Sequence, residues 1–254
     1  MLLTVDIGNT NITLGAYDGD VLCFTARLAT EVNKTVDQYA IDLKDILTLH
    51  GLDYENIEDC IICSVVPSVE NSLSRAVALL CHIVPLNLGP GIKTGLNIKI
   101  DNPAQLGADL VAGAVGAISE YTLPCIVIDM GTATTISVID KNGAFLGGVI
   151  AAGVGLTLKA LCENTSQLPA IDIHAPNSVI GTNTVESMRS GLVLGTAAML
   201  DGLIDRICEK LDEIPTVVAT GGLSKDIITH CNNEILYNEN LLLDGLKEIY
   251  EKNK

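Results

Sequence analysis

The feature that most narrows what this chain can fold into is a strand–turn–strand that occurs twice. The first copy is Val5-Asp6-Ile7-Gly8-Asn9-Thr10-Asn11-Ile12-Thr13, and the second is Ile128-Asp129-Met130-Gly131-Thr132-Ala133-Thr134-Thr135. In each, an apolar run ends in a carboxylate, a glycine follows two residues later, and a strand-like run returns after a small polar turn. Asp6 to Asp129 and Gly8 to Gly131 share one offset of 123, close to half of the 254 residues. One such turn says little, because Asp and Gly are common turn residues. Two at the same offset predict a duplicated domain. Glycine lacks a Cβ and turn N–H groups form an anion-binding concavity, so each copy is a candidate phosphate turn.

The flanking patterns repeat as well. Alternation over 12–17, the turn Asp18-Gly19-Asp20 and the run 21–28 predict two further strands after the first. Runs 124–129, 134–140 and 144–150, with Lys141-Asn142-Gly143 as hairpin turn, predict the same meander again. Thr35 and Gln38 have capping-box spacing and open a helix that stops near Gly51. Runs 60–66 and 83–88 read as strands, with a helix from Pro67 between them. Pro103 is expected to open a helix to about residue 121, carrying Gly107-Ala108-Asp109-Leu110 near its start. Its run of Ala112, Gly113, Ala114, Gly116 and Ala117 predicts close packing against another element. A helix is expected over 153–165, a loop over 165–182, and a long helix from Asn183-Thr184 with Thr184 as its N-cap. Run 216–220 reads as a strand ending in Gly221-Gly222. The expected fold class is therefore α/β, in two halves, 1–120 and 121–254, each with a mixed five-stranded-type sheet flanked by helices.

Composition removes several function classes. The net charge of −16 argues against a nucleic-acid or anionic-membrane surface, and it leaves any anionic substrate dependent on local N–H groups, Lys or a metal. No apolar run approaches about 18–20 residues, so no membrane span is read. No leader pattern is read at the start, which goes from Met1 straight into a strand. The eight cysteines lie in apolar segments. Cys60-Ile-Ile-Cys63 has metal-pair spacing, yet residues three apart on a strand face opposite sides, so these are read as core thiols in a reducing cytoplasm. The four histidines show neither triad nor metal spacing, and no GxxxxGK[ST] loop is present.

What chemistry can the turns support? Asp6 and Asp129 would repel phosphate directly, so they are read as holding a cation or its waters. Amides and hydroxyls around Asn9, Thr10, Asn11, Thr132 and Thr134 are candidate phosphate donors, and Gly221-Gly222 leaves room beside a base or ribose. These turns from the two halves would face each other across a cleft. Lys93, in the Gly-rich stretch 88–96, is a further candidate contact.

Asp6-Ile-Gly-Asn-Thr10, Gly89-Pro-Gly-Ile-Lys-Thr-Gly95, Asp101-Asn-Pro103 with Gly107-Ala-Asp109, Asp129-Met-Gly-Thr-Ala-Thr134 and Thr220-Gly-Gly222 are similar, in order and spacing, to the type III pantothenate kinases. That family lies within the actin-like ATPase and sugar-kinase superfamily. The resemblance implies a duplicated actin-like (ribonuclease H-like) fold, a cytoplasmic homodimer with the acceptor site near the interface, and ATP-dependent phosphorylation of pantothenate to 4'-phosphopantothenate, which opens coenzyme A biosynthesis. It implies Mg²⁺, held through water by Asp6, and a monovalent cation, K⁺ or NH₄⁺, at Asp129. It assigns the catalytic base to Asp109. It places ATP contacts at Asp6, Ile7, Gly8, Asn9, Thr10, Asn11, Ile12, Thr13 and Thr132, beside the Gly221-Gly222 turn. Acceptor contacts fall at Ile100, Gly107, Ala108, Asp109, Leu110 and Thr184. Two positions depart from the family pattern: Leu110 stands where it has Arg, and Ile100 where relatives commonly have Tyr. They leave open a paralogous kinase for another small hydroxyl compound, or a nucleotide-binding regulator without turnover.

Overall fold

The computed structural model describes residues 1–254. No helix in it is long and apolar enough to cross a membrane. The chain forms two compact units: Met1–Leu96 with Asn102–Ser119 and Leu241–Lys254, and Asn97–Asp101 with Glu120–Asn240.

In the first unit β1 (Leu2–Ile7), β2 (Asn11–Asp18), β3 (Val21–Ala29), β4 (Asp59–Ser64) and β5 (Leu86–Asn87) form one sheet in the order β3-β2-β1-β4-β5. β1 pairs antiparallel with β2 and parallel with β4. Because side chains alternate along a strand, β1 divides cleanly. Leu3, Val5 and Ile7 face a core that includes Tyr39, Leu43 and Leu47 of α1 (Val36–Leu49) and Leu73 and Val77 of α2 (Pro67–Cys81). Leu2 faces the other way, into a cluster with Val111 and Ala112 of α3 (Ala108–Glu120) and Leu243 and Leu246 of the C-terminal helix (Leu241–Glu251). Asp6 has the parity of Leu2. Cys60 and Cys63 follow the same rule from β4, and lie in the first and second cluster respectively. The Thr35–Gln38 capping box opens α1 as its spacing predicts.

The second unit repeats this plan. β7 (Cys125–Met130), β8 (Ala133–Ile139), β9 (Ala144–Ala152), β10 (Thr216–Thr220) and β11 (Leu236–Tyr237) take the places of β1 to β5, and β6 (Asn97–Ile98) adds a sixth strand beside β9. α4 (Val154–Asn164), α5 (Thr184–Arg189), a π-helical turn (Ser190–Leu194), α6 (Gly195–Cys208) and α7 (Ser224–Ile228) complete it; the C-terminal helix is accordingly α8. Ile126, Ile128 and Met130 pack on Leu192, Val193, Leu200 and Ile204.

The duplication extends to an irregularity that the motif does not contain. The β2–β3 register passes from Ala16↔Phe24 to Tyr17↔Leu22, leaving Cys23 as a bulge, and β8–β9 passes from Val138↔Gly147 to Ile139↔Phe145, leaving Leu146. Positions 23 and 146 are again 123 apart. A bulge adds local twist, so both meanders coil at the same point.

Four expectations meet corrections or additions. Pro103 opens a 3₁₀ turn, Pro103–Gln105, capped by Asn102, and α3 starts afresh at Ala108. The break lets Gly107 sit outside the helix. The strand expected over 83–88 shrinks to Leu86–Asn87. The N-cap of α5 is Asn183, whose side chain accepts from Glu186 N–H, so Thr184 is the first helical residue. Relative to a cut at 120/121, two segments lie in the other unit: 97–101 supplies β6, and α8 packs on α3 of the first unit.

The α3–α8 contact is a backbone approach. A Cβ on Gly245 would overlap the Ala112 carbonyl, and one on Gly116 would overlap the Leu241 carbonyl. We expect Gly245→Ala to lower stability by about 1–3 kcal/mol or more, because backbone cannot yield as a side chain does. Gly155→Ala, in a helix where a Cβ meets nothing within 4 Å, should raise it by about 0.4–1 kcal/mol. Urea unfolding of both variants checks the pair.

Candidate functional site

The first unit gathers acidic groups on its α3 face. Asp6 lies one residue from the end of β1, in parallel register with Cys63 on β4. Cys63 is fully buried. Burial first, then the charges of Asp6 and Asp109 and a hydrogen bond with Asp6, push its thiol well above the usual range, with Glu70 adding to the effect. One buried sulfur thus senses three carboxylates, from β1, α2 and α3.

Asp109 is the second residue of α3 and is half-buried. Its Oδ1 accepts the Leu110 N–H at 2.8 Å and lies where a Cβ of Gly107 would be. The glycine is therefore the space that the folded-back carboxylate occupies. Burial pushes the Asp109 carboxyl above the usual carboxylate range, against the pull of backbone N–H groups from Leu110 and Asp109 itself. Glu70 is raised as well, by burial. Ala108 and Leu110 flank Asp109, and Leu110 brings no charge.

The β1–β2 turn is held from below. Gly8 N–H donates to Asn11 O at 2.9 Å, Thr30 N–H donates to Thr10 O at 2.9 Å, and the Thr30 hydroxyl donates to Gly8 O at 2.7 Å. Asn9, Thr10 and Asn11 are exposed, whereas Ile7 and Ile12 are buried under them and Thr13 is half-buried. A Cβ on Gly8 would sit 3.1 Å from Asn11 O, so the turn closes only tightly with glycine there.

In the second unit Asp129 pairs across the strands with Thr135 on β8 and Thr220 on β10. Its turn is one residue shorter: Gly131 N–H donates to Ala133 O at 3.0 Å, and Gly153 N–H, at the start of α4, donates to Thr132 O at 3.1 Å. Thr132 is exposed, while Thr134 is 1% exposed and its hydroxyl has no hydrogen-bond partner. The inward turn of Thr134 removes it from the candidate phosphate donors. Gly221 has φ 96°, and a Cβ there would come within 2.6 Å of Met130 O and 2.9 Å of Asp129 Oδ1. Only glycine keeps that surface open; Gly222 next to it is exposed. Ile100 is half-buried, 3.9 Å from where a Cβ on Gly147 would be. Thr184 lines a cavity of about 690 Å³ with Thr157, Leu161, Ser187, Met188 and Leu192. Its wall includes the π-helical turn, a departure from regular helix often found at binding sites.

The structure thus brings Asp6, Gly107, Ala108, Asp109, Leu110 and the 7–13 turn into one unit. Asp129, Thr132, Gly221, Gly222, Ile100 and Thr184 belong to the other. Sequence reasoning missed Glu70, Thr30 and Gly153; Cys63 is the core thiol its apolar run predicts, and only its neighbouring carboxylates were not foreseen. Nothing in the spacing of Thr30 points at a turn some twenty residues earlier.

A family model described as type III pantothenate kinase matches residues 2–206. The type III pantothenate kinase of Halalkalibacterium halodurans is 43% identical over 253 residues, covering 100% of both chains. That of Brevibacillus brevis is 41% identical over 254 residues, again covering 100% of both. Among solved structures, component A of the (R)-2-hydroxyglutaryl-CoA dehydratase of Acidaminococcus fermentans superposes with a TM-score of 0.60 at 17% identity, covering 100% of this chain and 99% of that one. An identity so low carries the fold alone, and that fold is the duplicated actin-like one.

The burial of Cys63 sets an expectation independent of activity. In native protein at pH 8 a thiol reagent should modify Cys23, which is exposed, and leave Cys63 untouched until unfolding. Mass mapping of labelled peptides checks this, and Cys63 labelled as fast as Cys23 would contradict the arrangement.

Proposed function

The chain belongs to the type III pantothenate kinase family, and from that premise we propose that it transfers the γ-phosphoryl group of ATP to the primary hydroxyl of pantothenate. The observation that carries the reading is the half-buried Asp109, whose raised pKa makes it a stronger base than an ordinary carboxylate. It stands at a helix start where Gly107 makes room for it.

Phosphoryl transfer passes through a loose transition state, so positioning and charge neutralisation do most of the work. Asp109 accepts the proton of the attacking hydroxyl as the new oxygen–phosphorus bond forms and the bond from the γ-phosphorus to the bridging oxygen breaks, with ADP as the leaving group. Ile7, Gly8, Asn9, Thr10, Asn11, Ile12, Thr13 and Thr132 supply or support turns that bind the nucleotide phosphates, with donors from backbone N–H groups and exposed side chains. Gly221 and Gly222 leave open surface beside Asp129. Asp6 and Asp129 are hard oxygen donors suited to a Mg²⁺ water shell and a monovalent cation respectively. No three His, Cys, Asp or Glu side chains are grouped so as to hold a metal by themselves, so a cation at either aspartate would need further ligands from water, backbone or phosphate. Mg²⁺, when bound, offsets the charge on the phosphate oxygens. A cytoplasmic homodimer goes with this reading, as does an acceptor contact at Thr184.

Leu110 favours a second reading, a kinase of this family with a different acceptor. An Arg at that position would give a charge-assisted hydrogen bond worth on the order of 1.5–3 kcal/mol, which Leu does not supply. A coupled assay with ATP, Mg²⁺, K⁺ and pantothenate tests the first reading; ATP binding without turnover at high pantothenate overturns it. Faster turnover of a hydroxyl compound lacking a carboxylate would favour the second.

Two outcomes are expected at Asp109. Asp109→Asn should lower kcat by about 10²–10⁴-fold while ATP binding persists. The base acts deprotonated, so wild-type kcat/KM should fall as pH drops through the raised Asp109 pKa, above the usual range near 3.9. Because the folded pKa is raised, the charged group opposes folding at neutral pH. Asp109→Asn should therefore be more stable than wild type at pH 7–8, and no more stable once the pH lies below the unfolded-state pKa. Thermal unfolding at two pH values checks the sign.

A further inference from the structure

Between β5 and β6 the chain runs through 88–96 without strand or helix. Gly91 and Gly95 have φ of 96° and 75°, and a Cβ on Gly89 or Gly91 would meet nothing within 4 Å. No side chain packs at these two glycines, although Leu88, Ile92 and Leu96 around them lie against the apolar cluster beneath. Glycine-rich backbone loses the most freedom on ordering, so a defined conformation here needs a specific restraint.

Beside that packing and the Ile92 N–H to Gly89 O turn bond, one restraint comes from far along the chain. Asn253 accepts the Lys93 N–H through Oδ1 at 3.0 Å and donates through Nδ2 to the Lys93 carbonyl at 2.9 Å. The same Nδ2 donates to Ile249 O at 2.7 Å, in the last turns of α8. The side-chain amide thus pairs with Lys93 as a neighbouring strand would, and ties it to a helix end. A Cβ on Gly95 would lie 3.2 Å from Lys252 Cε, so the loop passes close to this tail. Asn253 is half-buried between the exposed Lys252 and Lys254.

The helix that holds Asn253 is itself fixed to the base. α8 meets α3 at the backbone approach of Gly245 and Gly116, and α3 carries Asp109. Ile92 and Leu96 of the loop join Leu106, Ala108, Val111, Cys63 and Ile249 in one apolar cluster. Loop, α8 and α3 therefore share a frame inside the first unit. We propose that Asn253 is a positioning residue that holds the 89–96 loop, and with it Lys93, for binding of an anionic acceptor whose hydroxyl Asp109 deprotonates. Lys93 is an exposed cation in a chain of net charge −16, while Leu110 beside Asp109 contributes none. The inference rests on the kinase reading and adds to it the part that organises the acceptor side.

The test is steady-state kinetics of Asn253→Ala in the full chain, with amide hydrogen exchange over 89–96 measured alongside. The expected result is an acceptor KM raised about fivefold to tenfold, kcat and ATP KM within about twofold of wild type, and faster exchange in the loop. Asn253→Asp keeps an oxygen for the Lys93 N–H and loses both donated bonds, so its acceptor KM should fall between the two. Faster exchange with unchanged acceptor KM overturns the proposal. So does a variant whose only defect is a lower Tm. Absence of pantothenate turnover in the unaltered protein would overturn the kinase reading and this proposal together, and the wild-type assay separates that failure from failure of the clamp alone.

Discussion

Each unit depends on one strand whose backbone must be hydrogen-bonded on both edges while buried. An unpaired N–H or C=O there would cost about as much as a lost hydrogen bond or more. β1 and β7 meet the requirement in the same way, antiparallel to the next strand and parallel to a later one. The parallel partner arrives by a crossover, so its own C-terminal end lies beside the carboxylate that ends the central strand. That pairing sets Cys63 beside Asp6 and Thr220 beside Asp129. Ends of parallel strands are where α/β sheets bind ligands, since loops diverge there and leave polar groups open.

From this shared frame the two units part in chemistry. In the first, the residue after the parallel strand's pairing position is Ser64, and a buried thiol lies among carboxylates from β1, α2 and α3. In the second, Gly221 occupies the corresponding place and opens the surface beside Asp129. The one-residue difference between the β1–β2 and β7–β8 turns is recovered across the next hairpin, where Ala16 pairs with Phe24 eight positions on and Val138 pairs with Gly147 nine positions on. The bulges at Cys23 and Leu146 thereby regain the common offset. Twist at the bulge is retained where turn length is not.

The α3–α8 contact shows a local rule set aside for a global one. Glycine in a helix interior costs about 1 kcal/mol against alanine, yet α3 carries Gly113 and Gly116 and α8 carries Gly245. The approach of Gly116 and Gly245 to opposing carbonyls leaves no volume for a methyl group. The lost propensity is offset by a rigid link between the helix that presents Asp109 and the helix that ends at the Lys93 loop.

Elements whose cause is local are legible in the residues alone. The duplicated meanders, the capping box at Thr35 and the placement of Cys60 and Cys63 on opposite faces follow from periods of two or 3.6 and from short motifs, whereas the candidate role of Asp109 rests on the resemblance to a known family. Even there a neighbour could be mistaken, as Thr184 was for Asn183, because both residues cap helices well and only backbone dihedrals separate them. The tertiary structure alone decided what depends on distant partners. Thr30 reaches back 22 residues to Gly8, and Asn253 reaches 160 residues to Lys93. Thr134 turned inward because its strand parity, not its motif, set its face. A motif names the groups available; which of them meet is settled by crossovers and packing that no short window contains.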